Sequence, residues 1–154
     1  MSLKFHEMTI DAYLSALGST APAPGGGAAA GLIGAQACAL GEMVSRLSSS
    51  GKNTDDFREK AEQYAAIFES ARSIFLDLMD EDAKNFCELM VLLQSPRDPA
   101  DTKRKENLEA AFKKSAEAPY QMADAMSGLL PAFTQLLLHC NKNVITDAVI
   151  AAEE

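Results

Sequence analysis

The stretch Pro22-Ala23-Pro24-Gly25-Gly26-Gly27-Ala28-Ala29-Ala30-Gly31-Leu32-Ile33-Gly34 decides how this chain folds. Its first half cannot continue a helix, because proline lacks a backbone donor and fixes φ. Consecutive glycines also let the chain turn sharply and bring its backbone close to another group. Its second half opens a helix expected from about Gly27 to Ser48. There Gly27, Gly31, Gly34, Cys38, Gly41 and Ser45 recur at alternating steps of four and three, so they share one helical face. Glycine inside a helix costs ~1 kcal/mol relative to alanine. A stripe of them implies an offsetting gain from close approach of another helix or a ligand, and the stripe is expected to be an interface. Small residues at this spacing are familiar in membranes, but Glu42, Arg46 and the scarcity of large apolar side chains favour a soluble helix.

To the N-terminal side, a short helix is expected from Thr9, a good N-cap, to Gly18, which suits a C′ position. To the C-terminal side, Ser48 to Asn53 breaks the chain and Thr54 can cap a long third helix reaching about Gln94. Phe57, Ala61, Tyr64, Phe68, Ala71, Phe75 and Leu78 form its apolar seam. The next member is Asp82, before Phe86, Leu89 and Leu93 resume it. A second path through Phe75, Met79, Ala83, Phe86 and Met90 leaves Asp82 at the edge of the seam, and periodicity supports both. Ser95 to Pro99 ends this helix. A fourth helical region, about Asp101 to His139, contains Pro119 and Pro131, which are expected to kink or break it into two or three pieces. Asn141-Lys142-Asn143 reads as a turn, and Thr146-Asp147 opens a last helix of about eight residues, shorter than the ~12 at which isolated helices become marginal.

The composition agrees with an all-α, multi-helical bundle. Apolar residues make up 47% of the 154, with no Trp and few β-branched runs. A net charge of −8 argues against nucleic-acid binding through a basic face. The three cysteines, Cys38, Cys87 and Cys140, are odd in number and lie in apolar stretches, so they read as reduced core thiols of a cytoplasmic protein. No zinc-type Cys/His spacing occurs, and His6 and His139 read as structural or surface residues, so no metal is expected. The uncharged Gly/Ala-rich stretch from Gly25 to Gly41 falls short of the ~20 residues of a membrane span, and no membrane partner is expected.

For chemistry, the start of the second helix presents unpaired N–H groups suited to an anion or a carbonyl oxygen, though a tight turn packing the helix start explains the same residues. No Walker or dinucleotide-type spacing accompanies it, and no Ser/His/Asp or Cys/His arrangement is recognisable. Carboxylates remain. A partly buried Asp82 would have its pKa raised toward values useful for acid–base work. Asp147 is accounted for almost fully by its place at a helix N-terminus.

Three ordered segments resemble the formiminotetrahydrofolate cyclodeaminase and methenyltetrahydrofolate cyclohydrolase family, the cyclodeaminase part of formiminotransferase-cyclodeaminase. They are Ser19 to Gly27 with its Ala/Gly helix, Asp80-Glu81-Asp82-Ala83-Lys84-Asn85-Phe86, and Asn141 to Asp147 followed by Ala148 to Ala152. Lys103-Arg104 and Ala116 to Pro119 look like the family's intervening basic pair and proline segment. The resemblance implies one helical domain over 1–154, a homodimer, and one-carbon derivatives of tetrahydrofolate as substrate, with no metal and no cofactor beyond that substrate. Family members continue through another helix after the Asp147 segment, so the domain is expected to be shortened at that end. In the cyclodeaminase reaction N10 closes on the formimino carbon and ammonia leaves; in the cyclohydrolase reaction water attacks the methenyl carbon. Both pass through a cationic, amidine-like centre, and the sequence leaves both open. The resemblance implies Asp82 and Asp147 as catalytic residues. It implies Thr20, Pro24, Gly25, Gly26, Gly27, Asn143 and Thr146 as substrate-binding residues, with Lys52 and Arg104 meeting the anionic folate tail. Together they suggest a cleft between the start of the second helix, the middle of the third and the Asn143–Asp147 turn. The alternative is a non-catalytic helical homodimer or an interaction module whose small-residue stripe binds another protein.

Overall fold

The computed structural model of the chain describes residues 4–50, 55–96 and 102–153, and Lys52 and Thr54 lie outside them. Five α-helices follow in order: α1 (Ile10–Leu17), α2 (Gly26–Ser49), α3 (Asp55–Gln94), α4 (Arg104–His139) and α5 (Ile145–Glu153), with 3-10 turns at Phe5–Glu7 and Lys142–Val144. The all-α expectation holds. Thr9 caps α1 by accepting the Ala12 N–H at 3.2 Å. Gly18 ends α1 at φ −78°, so its place there draws on no left-handed conformation. α4 runs unbroken through Pro119 and Pro131, against the expected break. Each proline costs roughly 3 kcal/mol in a helix interior, and α4 offsets this by burying Ala118, Met122, Leu129, Ala132, Phe133 and Leu136.

The chain forms two compact units, one of Met1–Gly31 with Asp77–Met122 and one of Leu32–Leu76 with Ala123–Glu154. Each of α2, α3 and α4 contributes a part to both. In the first unit α2 meets α3 at Gly31, where an added Cβ would lie 2.9 Å from the Met79 Cβ and 3.0 Å from the Met122 Cε. Around this contact Phe5, Tyr13, Ala28, Leu78, Ala83 and Leu89 are buried. Arg104, at the start of α4, closes the end of α3. Its guanidinium donates to the Ser95 Oγ at 2.8 Å, the Leu92 carbonyl at 3.2 Å and the Pro96 carbonyl at 3.3 Å, satisfying acceptors that a helix C-terminus leaves open.

In the second unit the glycines of α2 again meet α3. A Cβ on Gly34 would stand 2.7 Å from the Phe75 ring, and one on Gly41 would stand 3.1 Å from the Phe68 ring. Phe68 in turn packs on Phe133 at 4.6 Å. Cys38 and Cys140 are buried free thiols, as expected, whereas Cys87 of the first unit is half-buried. Burial pushes the Cys38 thiol up to about 11 against a weaker downward pull from Arg72. The Asn141 N–H donates to the buried Ser48 Oγ at 3.0 Å. The Asn141 side chain accepts the Asn143 N–H and so starts the turn before α5. The nine residues of α5 gain the support that their length requires by burying Ala148 and Ala151.

The stripe of small residues is therefore occupied within each unit by α3, which removes it as a free face for another protein. Gly34→Ala is expected to lower unfolding stability by about 1–3 kcal/mol because α2 must shift off Phe75. Gly128→Ala, at an exposed α4 position with nothing within 4 Å of the new methyl, should raise it by up to about 1 kcal/mol. Urea unfolding of both variants checks the pair, and stabilisation by both would contradict this packing.

Candidate active site

The first unit brings the glycine loop and Asp82 together. The first turn of α2 closes with the Ala29 N–H donating to the Gly25 carbonyl at 3.0 Å, so the N–H groups of Gly26, Gly27 and Ala28 have no acceptor within the helix. Asp82 approaches this end from α3. A Cβ on Gly27 would overlap the Asp82 carboxylate, whereas Cβ atoms on Gly25 and Gly26 would enter open space. Of the three glycines, Gly27 alone is required by close approach, and what it admits is a carboxylate.

Two opposing effects act on that carboxylate. Burial raises the Asp82 pKa from its ordinary value, and the backbone N–H of Ala28 draws it down, with burial the larger. The positive end of a 24-residue helix favours the charged form; desolvation favours the neutral one. The balance leaves a side chain able to take up and release a proton more readily near neutrality than a solvated aspartate. On the α3 seam, Asp82 is half-buried at the edge, between the buried Met79, Ala83 and Asn85. Phe86, expected on either path, is 38% exposed, and its place inside is taken by Asn85, whose amide donates to the Lys114 carbonyl at 3.3 Å.

The neighbouring acid does something different. Asp80 accepts the Phe5 N–H at 2.7 Å and lies 2.7 Å from the His6 ring nitrogen Nδ1, tying the 3-10 turn before α1 to α3. His6 thus has the structural role expected of it. The turn carries Phe5 onto Tyr13, the one buried residue of α1, in an edge-on ring contact at 6.4 Å. The Tyr13 hydroxyl is buried and has no hydrogen-bond partner among the described residues. Burial raises its pKa, and the Asp82 charge raises it further.

The other residues singled out in the sequence are distributed as follows. Pro24 is buried, Thr20 and Gly26 are exposed, and Gly25 and Gly27 are half-buried, all in the first unit. Arg104 also lies there, with its guanidinium on the end of α3. Asn143, Thr146 and Asp147 belong to the second unit. Asn143 and Thr146 are exposed and Asp147 is half-buried in the first turn of α5. Because α5 begins at Ile145, Thr146 stands inside the helix and is not its cap. Lys52 lies outside the described residues. Sequence reasoning missed Tyr13 and the Asp80–His6 pair. A tyrosine in a helix otherwise rich in Ala and Leu was the available signal for the first, and a pairing across 74 residues leaves none for the second.

Formimidoyltransferase-cyclodeaminase from Rattus norvegicus is 23% identical over 149 residues, covering 96% of this chain but 28% of the rat protein. The chain therefore spans little more than a quarter of that relative. Methenyltetrahydrofolate cyclohydrolase from Methylorubrum extorquens is 28% identical over 145 residues, covering 93% of this chain and 70% of that protein. The crystal structure of formiminotetrahydrofolate cyclodeaminase from Thermotoga maritima is similar at a TM-score of 0.85 and 28% identity, over 96% of this chain and 70% of that one. The family match extends over residues 9–154 and takes in the Gly25–Gly27 loop, Asp82 and the Asp147 segment alike, and the chain belongs to the formiminotransferase-cyclodeaminase family.

Proposed function

We propose that this chain acts on one-carbon derivatives of tetrahydrofolate, closing a formimino group with loss of ammonia or opening a methenyl bridge with water. The observation that carries the reading is the partly desolvated Asp82 carboxylate seated on Gly27 at the open N-terminus of α2, in a chain of this family. Both reactions pass through a cationic carbon between two nitrogens. A carboxylate beside that carbon stabilises the charge as it develops, and removal from water strengthens the attraction. The same group removes a proton from attacking water, or moves the one that leaves with ammonia. The N–H groups of Gly26 and Gly27 supply donors for a substrate oxygen in this reading, with Thr20 and Pro24 forming the approach. Asp147 holds a position that its helix terminus already accounts for, so the proton-transfer role is assigned to Asp82. The reading includes a homodimer, supported by the exposed apolar residues Met43, Leu47, Ile67 and Ile74 of the second unit.

Asp82→Asn is expected to lower turnover of formimino- or methenyl-tetrahydrofolate by on the order of 10²–10⁴-fold, followed through the methenyl chromophore. It should not lower stability. A folded-state pKa above the ordinary value means that the protonated side chain favours folding. That contribution is complete below the ordinary value of 3.8 and is lost as pH rises through the folded value. The variant should therefore melt above the parent at neutral pH, with the gap closing in acid. Unchanged turnover would remove Asp82 from the chemistry.

Gly27→Ala should displace the carboxylate and lower turnover by on the order of 10²-fold while circular dichroism stays helical. Activity near that of the parent would show that Asp82 need not sit where it does. Sedimentation equilibrium should return a mass near twice 16.5 kDa, and a monomer at micromolar concentration would contradict the homodimer.

A further inference from the structure

Tyr13 is 3% exposed, and its hydroxyl has no partner among the described residues. Buried hydroxyls are nearly always hydrogen-bonded, and one that lacks a partner in the protein points to a water or to a neighbouring group in another state. The ring is fixed on its far side by Phe5, whose own N–H is held by Asp80. The groups around Asp82 are few. From the start of α2 the Ala28 N–H donates to it, and on α1 the buried Tyr13 hydroxyl lies within reach of its charge. From α4 the described contact at Gly31 is the apolar Met122. Asp80, two residues away on α3, is committed to Phe5 and His6. Among the described residues, Asp82 is the ionisable group whose charge reaches the Tyr13 hydroxyl.

We propose that Tyr13 is a positioning residue for Asp82: its buried hydroxyl donates through one water to the ionised Asp82 carboxylate and orients it against Gly27. The role in turnover rests on the folate reading above; the hydrogen bond does not. Through that water the Tyr13 O–H donates a stronger hydrogen bond to the charged carboxylate than to the protonated acid, which keeps only a neutral carbonyl acceptor. Tyr13 accordingly holds down the proton affinity that burial raises, and keeps the carboxylate available as a base.

The test follows the Asp82 carboxyl carbon by ¹³C NMR through a pH titration, with its resonance assigned by its disappearance in Asp82→Asn. Tyr13→Phe removes the hydroxyl and keeps the buried ring, so it should fold with a Tm close to that of the parent. It should raise the proton affinity of Asp82 by roughly tenfold. The acidic limb of kcat should move to higher pH with it, and KM should change little. Site-specific 3-fluorotyrosine at position 13, a stronger donor, should move the Asp82 midpoint to lower pH, which keeps the test open if the phenylalanine variant fails to fold. An Asp82 midpoint unmoved by whichever of these substitutions folds would overturn the proposal. If the parent protein turns over neither folate, the functional reading fails while the titration still decides whether Tyr13 governs Asp82.

Discussion

The close approach of α2 to α3 is the constraint on which the rest depends. In the first unit Gly27 and Gly31 face Asp82 and Met79, and in the second Gly34 and Gly41 face Phe75 and Phe68. At each of these positions the missing side chain of α2 is filled by a group from α3. The energetic logic is that of a tightly packed interior: a glycine costs helix propensity, and dispersion contacts over the length of the pairing offset that cost. At three of the four positions the group admitted is apolar. At Gly27 it is a carboxylate, and the packing device that builds the fold also builds the candidate site.

The carboxylate is held between influences of opposite sign. A helix start attracts negative charge, and a half-dry environment rejects it. A protein that sought only stability would have placed an amide or an apolar group there, and the raised pKa of Asp82 records that it does not. Its neighbour Asp80 shows the contrast. Two residues away on the same helix, it serves as a structural anchor for the chain before α1, with Phe5 and His6 as partners. The Asp80-Glu81-Asp82 segment therefore combines a fastening and a chemical group within one turn.

Much of this was legible in the sequence because it is local and periodic. The break at Pro22–Gly27, the glycine face of α2 and the length of α3 follow from residues a few positions apart. Pro119 and Pro131 do not break α4, because local propensity is set against packing that the sequence pattern does not weigh: the buried residues of α4 keep the helix continuous through both. The placement of Asp82 could not be fixed by period alone, since two seams fitted. What settles it is Asn85 turning inward in place of Phe86, and the space that Gly27 leaves. Tyr13 and the Asp80–His6 pair were hidden for a different reason, as each gains its meaning from a partner about 70 residues away in the chain.

In the proposed chemistry Asp82 stands beside the reacting carbon of a bound folate. The most direct measurement is a crystal structure of the Asp82→Asn protein, which should bind without turning over, with 5,10-methenyltetrahydrofolate. The one-carbon bridge is expected in contact with the side chain at position 82, with the Gly26 and Gly27 N–H groups facing the ligand. A folate bound elsewhere on the chain, with position 82 and the Gly25–Gly27 loop untouched, would contradict it.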